Sequence, residues 1–371
     1  MISRPSQYGE FGCWCNHMNS LKTGYIEKQI VSQALLRTIR LIGECKGREE
    51  LYKTQAPQIL ETLRQAAIIQ SVESSNRIEG VEATPERIRE LVQKKTAPRN
   101  RSEREIAGYR DVLNTIHADY DGMVLTSGLV LQLHRDLYQF DPSEGGKWKP
   151  ADNTIEEAHP DGTKVVRFHP VPAFKTPEVM EEMHRRFSIL WDAGEIEPLL
   201  LIPSYILDFL CIHPFRDGNG RMARLLTLLL LYKAGYEVGR FISLELIVEK
   251  TRETYYEALY NSSQGWHECK HSLGPWWAYF LGVVVQGAYS EFEDRVGLVT
   301  TGRGSKSALV KDTLNRLPGE FSVRIVQDRC PNVGIDLIRR ILKEEKAEGR
   351  LECIGRGPGA RWRRIGTIPI N

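Results

Sequence analysis

The sequence is short of most features that would place a protein quickly. It has almost no net charge, with 50 Lys and Arg against 48 Asp and Glu. A chain so balanced is not a polyanion binder over its whole surface. Long apolar runs are missing as well. The longest, Leu225–Tyr232 and Trp276–Tyr289, fall short of the roughly 20 residues that span a bilayer, so no membrane contact is expected. No basic stretch followed by an apolar one opens the chain, which speaks against a secretory leader. The seven cysteines, Cys13, Cys15, Cys45, Cys211, Cys269, Cys330 and Cys353, are odd in number and scattered. They form no disulfide framework, and Cys13-Trp14-Cys15 has no second pair to complete a zinc site. His159, His169, His267 and His271 likewise lack metal-ligand spacing. Reduced cysteines in a cytoplasmic protein are the expectation.

What is present is an ordinary globular balance over 371 residues, 41% hydrophobic and 26% charged. At about 100–200 residues per domain, two to three domains are expected. The charge is uneven along the chain. Residues 303–371 hold fifteen Lys and Arg against eight Asp and Glu, leaving 35 against 40 for the rest. A basic C-terminal module on a mildly acidic body suggests a second role.

Apolar residues fall at helical spacing over most of the body: 26–47, 48–79 with Pro57 dividing it, 84–95, 102–119, 126–138, 176–192, 196–211, 219–234, 249–262 and 273–295. Thr84-Pro85-Glu86 and Thr176-Pro177-Glu178 read as N-caps followed by proline in the first turn. Only 146–172 reads as extended, a hairpin turning at "PDGTK" and suited to a flap over a site. A Gly/Ser/Thr linker at 300–307 leads to three helical stretches and a basic β-hairpin in 308–371, the pattern of a winged helix-turn-helix. The fold class is therefore mainly α, with one flap and a small appended domain.

One loop stands out. "HPFRDGNGR", 213–221, packs polar and glycine residues against the apolar "MARLLTLLLLYKAG". Gly218 and Gly220 allow backbone N–H groups to converge on an anion. The helix beginning near Asn219 aims its positive end at the same place. Arg221 and Arg224 share a face of its first turns, completing a polyphosphate cradle. Asp217 at the mouth would repel phosphate unless it holds a cation, and Mg²⁺ is suited to one carboxylate plus phosphate oxygens. His213 is placed to take a proton from an attacking hydroxyl.

"HPFRDGNGRMAR" resembles, at every defined position, the signature of the Fic family. The resemblance implies a helical core with a β-hairpin flap and transfer of AMP from ATP onto a hydroxyl of a target protein. It makes His213 the general base and Asp217 the Mg²⁺ ligand. It gives Gly218, Asn219 and Gly220 the phosphates to cradle, Arg221 the inner phosphates and Arg224 the γ-phosphate. "SSNRIEG" resembles the family's inhibitory helix through Ser75, Glu79 and Gly80, with Glu79 expected to pair with Arg224. Glu79 also stands near a helix C-terminus, where a negative charge opposes the dipole. The family implies a target strand along the flap edge, here Asn153, Thr154 and Ile155. It implies an adenosine side formed by 251–266, whose Tyr255 and Tyr256 line that pocket or else belong to the core. Residues 1–100 are then an N-terminal helical region and 101–299 the catalytic core. Family members often dimerise, and 308–371 could contact DNA or protein. Two alternatives share these residues: removal of AMP or transfer of another phosphate-containing group, and a nucleotide-sensing DNA-binding regulator.

Overall fold

A computed structural model describes residues 20–55, 57–143, 145–158, 164–300, 305–317, 319–330, 333–355, 357 and 360–365. The Cys13 and Cys15 pair, His159, linker residues 301–304 and the wing residue Arg356 lie outside these. In chain order the first helices are α1 (Gln33–Gln55), α2 (Pro57–Ile78), α3 (Pro85–Val92), α4 (Arg101–Asp119) and α5 (Ser127–Leu137). Strands β1 (Ile155–Ala158) and β2 (Lys164–Phe168) follow, then α6 (Thr176–Ala193), α7 (Pro198–Ile212) and α8 (Asn219–Lys233). After these come α9 (Leu244–Lys250), α10 (Arg252–Ser263), α11 (Gly274–Tyr279) and α12 (Gln286–Thr300). The C-terminal elements are α13 (Ser305–Arg316), β3 (Glu320–Ser322), α14 (Val323–Arg329), α15 (Ile335–Ala347), β4 (Leu351–Ile354) and β5 (Arg361–Arg364). The protein is mainly helical, as its sequence periodicity implies.

The chain divides into two compact units. The first comprises Met1–Leu35, Ala118–Ala234 and Arg252–Phe280. Its axis is α8, buried nearly all round, as an apolar helix without a polar face must be. Each fully buried leucine there contributes roughly 1.5–3 kcal/mol. Helix α7 carries Pro203 in its interior. The proline removes a helical hydrogen bond, and tryptophans from α11 meet the carbonyls nearby. Trp276 Nε1 donates to Pro203 O at 2.7 Å and Trp277 Nε1 to Leu200 O at 3.1 Å. Ser20 N and Oγ both donate to buried Asp208 of α7, and Trp266 Nε1 donates to the same carboxylate at 2.7 Å. Burial nevertheless pushes the Asp208 carboxyl up to about 6. His271 is held between Ser20 Oγ and Tyr25 Oη. The hairpin β1–β2 is antiparallel, with Glu156 opposite Val166.

The second unit comprises Leu36–His117, Gly235–Thr251 and Leu281–Asn371. Here α2 is clamped to α9: Ser71 Oγ donates to Ser243 Oγ and Glu245 Oε2, and Tyr109 Oη donates to Glu245 Oε1. Its C-terminal module pairs β3 and β4 on either side of β5, antiparallel throughout, over a core that includes Phe321, Val326 and Ile338.

Several local expectations are corrected. The first helix begins at Gln33, not Ile26. The helix expected over 249–262 breaks at Thr251, and the one expected over 273–295 passes through a π-helical stretch at Phe280–Val285. Thr84 caps α3 as read, with Arg87 N on its hydroxyl. Thr176 is already helical, and its hydroxyl donates to Pro172 O instead of capping. β3 joins what the sequence presented as a two-stranded hairpin, because Phe321 lies opposite Trp362 and both are buried. Among the described residues no helix is long and apolar enough to cross a membrane.

Candidate active site

The loop at 213–218 joins the negative end of α7 to the positive end of α8. His213 closes α7 in a left-handed conformation, φ 51°, unusual for a residue with a Cβ. Its amide still donates back to Phe209 O at 2.9 Å. The side-chain Nδ1 lies 3.3 Å from Leu210 O. A carbonyl only accepts, so Nδ1 carries the proton and the lone pair sits on Nε2, the state a general base requires. An imidazolium formed there would lie at the negative end of the α7 dipole.

The loop is closed from within by Asn219. Its Oδ1 accepts from Phe215 N at 2.9 Å and its Nδ2 donates to Phe215 O at 2.8 Å. The buried Asn219 side chain is thus occupied with loop closure. Gly218 caps α8 at φ 81°. A Cβ there would meet Tyr138 Cε2 and Oη at 3.1 Å, so glycine is required both for conformation and for space. The first-turn amides of α8, beginning with Asn219, have no acceptor inside their own helix.

Phe215 is fully buried, as the apolar peg of a polar loop should be. It stacks on His134 with ring centroids 3.6 Å apart, and Trp148 packs 5.3 Å from it. His134 was not singled out in the sequence, yet it ties three segments together. Its Nε2 donates to Asp217 O at 3.0 Å and its Nδ1 accepts from Gly146 N at 3.0 Å. Burial pulls its pKa down to about 4, so it stays neutral in this role. Tyr138, four residues on at the C-cap of α5, receives a hydrogen bond from Arg221 Nη2 at 2.8 Å, with the guanidinium 5.4 Å from its ring. Only the helical repeat of α5 hinted that His134 and Tyr138 share a face, and nothing local shows which loop that face meets.

Arg221 and Arg224 are both buried, at 1% and 7% exposure. Asp217 is half exposed; its Oδ1 accepts from Gly218 N at 2.6 Å and its Oδ2 lies 3.7 Å from Arg221 Nη2. Among the described residues no three His, Cys, Asp or Glu side chains gather as a metal cage. The protein's share of a Mg²⁺ site would be Asp217 alone, which fits a cation held mainly by phosphate oxygens and water.

The flap joins this site from one side. Asn153, expected at the target-binding edge, turns its amide toward His213 O and Phe215 O at 3.3 and 3.2 Å. Thr154 Oγ1 donates to Glu156 at 3.0 Å, and Ile155 opens β1 opposite Phe168. β2 is fixed by Phe168 stacking on His267 and by Arg167 lying over Tyr260. The alternatives left open for the tyrosines separate. Tyr255 is a core residue, edge-on to Trp276 and Tyr279, whereas Tyr256 is exposed beneath Arg252. In the other unit Ser75 is fully buried, α2 ends at Ile78, and Gly80 follows Glu79 at φ 75°.

Residues 124–231 match the model of the Fic/DOC family. Over 230 residues the chain is 26% identical to a protein adenylyltransferase Fic of Nematostella vectensis, covering 59% of this chain and 49% of that one. It is 27% identical over 220 residues to the protein of the same name from Drosophila willistoni, covering 57% and 40% respectively. The chain thus spans half or less of the length of these curated relatives. Among solved structures, a Fic family protein from Desulfovibrio desulfuricans G20 aligns with a TM-score of 0.59 at 20% identity, covering 91% of this chain and 98% of that one. Fic-1 of C. elegans aligns at 0.55 and 18% identity, covering 72% of this chain and 73% of the other. Likeness at that identity establishes the fold.

Proposed function

The chain is a Fic-family protein, and from that premise we propose that it transfers AMP from ATP to a Ser, Thr or Tyr hydroxyl of a target protein. The observation that carries this is His213: its Nδ1 is turned to Leu210 O, which puts the lone pair on Nε2, beside a glycine loop that opens onto the first turn of α8.

In this reading His213 Nε2 takes the proton as the target oxygen bonds to the α-phosphorus and the bond to the departing pyrophosphate breaks. The backbone of Gly218, Asn219 and Gly220 holds phosphate oxygens, with Arg221 and Arg224 neutralising charge that develops on the leaving group. Mg²⁺, held through Asp217, would supply further neutralisation across the phosphates. Most of the acceleration then comes from positioning and fixed charge.

Glu79 is the proposed brake, withdrawing Arg224 from the γ-phosphate. Its support is the match of Ser75, Glu79 and Gly80 to the inhibitory motif and the placement of an acid just past α2, against the helix dipole. For 308–371 the proposal is a winged helix-turn-helix that contacts a protein or DNA. Helix α15, the last helix before the wing, mixes acids with bases, and wing residue Arg363 is already paired with Glu352 at 2.6 Å.

The test is incubation of wild type and Glu79→Gly with labelled ATP, Mg²⁺ and cell lysate, followed by mass spectrometry of the modified protein. An AMP adduct that increases in Glu79→Gly supports both parts. A different adduct, or removal of AMP from a pre-modified protein, would reassign the reaction. Equal labelling by the two proteins would remove Glu79 from it.

A further inference from the structure

At the end of α7, Ile212 O is one of the last helix carbonyls, which have no donor within the helix, and the next three carbonyls, His213 to Phe215, belong to the loop that follows. Each receives a donor from the 149–153 stretch, and Phe215 O accepts from Asn219 Nδ2 as well. Lys149 Nζ donates to Ile212 O at 3.0 Å, and Asn153 Nδ2 lies 3.3 Å from His213 O. Lys149 N donates to Pro214 O at 2.8 Å, and Asn153 Nδ2 approaches Phe215 O at 3.2 Å. All four ties come from one short stretch, 149–153, leading into β1. Lys149 Nζ also donates to Asn153 Oδ1 at 2.8 Å. That bond orients the amide, because the oxygen is turned to the ammonium and Nδ2 is left to face the carbonyls.

The arrangement is costly to maintain for packing alone. Lys149 is 3% exposed, and a buried ammonium needs hydrogen bonds and a negative counterpart. The counterparts here are the Asp152 carboxylate and the C-terminal end of α7, where a cation is favoured. Burial still pulls the Lys149 pKa down to about 8. The strained backbone of His213 gives the arrangement a purpose. A left-handed non-glycine residue persists only where its surroundings over-determine it, at roughly 1–3 kcal/mol.

We propose that Lys149 and Asn153 are a positioning pair for the transfer reaction, fixing the carbonyls of 212–215 so that His213 keeps its orientation and tautomer. The pair acts through the backbone and does not touch the reacting atoms. The inference rests on the reading of His213 as the base for AMP transfer. It also gives Asn153 a role distinct from contact with a target strand.

The experiment uses the full chain with Lys149→Met, Lys149→Arg and Asn153→Asp, each also in the Glu79→Gly background. Kinetics of AMP transfer are read together with ¹⁵N imidazole spectra of His213 and ATP affinity. Lys149→Met and Asn153→Asp should lower kcat about 100-fold, as a misplaced base does, with KM for ATP changed by less than about threefold. Lys149→Arg should restore at least about tenfold of that loss. The His213 spectrum should change from a single Nδ1–H tautomer to a mixture. Unchanged kcat and tautomer would overturn the proposal, and so would a raised KM at constant kcat, which would mark a binding residue instead. If no background transfers AMP, the imidazole spectra still decide for or against the pair. If Lys149→Met does not fold, the isosteric Asn153→Asp, which keeps the acceptor for Lys149, carries the test.

Discussion

Replacing Asn219 by Asp exchanges one NH₂ for an oxygen and little else, which makes it a sharp test of the loop. Asn219 now closes two hydrogen bonds with Phe215, donating at 2.8 Å and accepting at 2.9 Å. An aspartate keeps the acceptor but sets a charged oxygen against Phe215 O. Losing a buried hydrogen bond and leaving a buried polar group facing its like costs about 1–3 kcal/mol. One effect opposes this. A carboxylate in the first turn of α8 gains about 0.3–1 kcal/mol from the helix dipole. The loss exceeds the gain, so Asn219→Asp should melt below wild type at pH 7. Asn219→Ala, which strands the Phe215 N–H and gains nothing from the dipole, should fall by roughly 2–10 °C. Protonation gives the new carboxyl an O–H to donate to Phe215 O, so its pKa in the folded state is raised. Its folded state then binds more protons than the unfolded state, and the deficit against wild type should shrink as pH falls from 7 to 5. Thermal melts at matched pH measure this. An Asn219→Asp protein as stable as wild type at pH 7, or a deficit that grows on acidification, would refute the account of the loop.

Further outcomes follow from the same geometry. His213→Ala should abolish modification while leaving ATP affinity nearly unchanged in a calorimetric titration. Gly218→Ala places a Cβ at 3.1 Å from Tyr138 and forces alanine into the left-handed region, which costs about 1–2 kcal/mol; displacing Tyr138 from Arg221 should lower AMP transfer about tenfold or more. His134, held neutral with its pKa pulled down to about 4, contributes stability that is full above about pH 6.5 and is lost as pH falls toward 4. His134→Gln should therefore flatten the dependence of stability on pH across that window in denaturant titrations. If 308–371 contacts duplex DNA, binding should weaken steeply with salt; a flat salt dependence would favour a protein partner.

Much of the site was legible because its chemistry is compressed into one stretch. His213, Asp217, the glycines, Arg221 and Arg224 lie within twelve residues, so spacing alone brings them together around a helix N-terminus. The flap could also be read, because "PDGTK" and a β-branched run carry their own signals. Less was legible where a residue's role depends on what packs against it. Asn219 reads as a phosphate ligand until Phe215 is seen between its two polar atoms. Tyr255 and Tyr256 are neighbours of the same type, and only burial separates them.

The sequence by itself determined the helical class, the extended hairpin, and the polar glycine loop on which the proposed chemistry rests, because these rest on local periodicity and on residues close in the chain. Tertiary structure alone decided what holds the loop in place. His134, Tyr138, Lys149 and Asn153 come from segments about 60 to 83 residues earlier and meet it only through folding. Their partners are mostly backbone carbonyls, which every residue has and no motif can mark, so the tautomer of His213 and the conformation around it emerge only when the chain is packed.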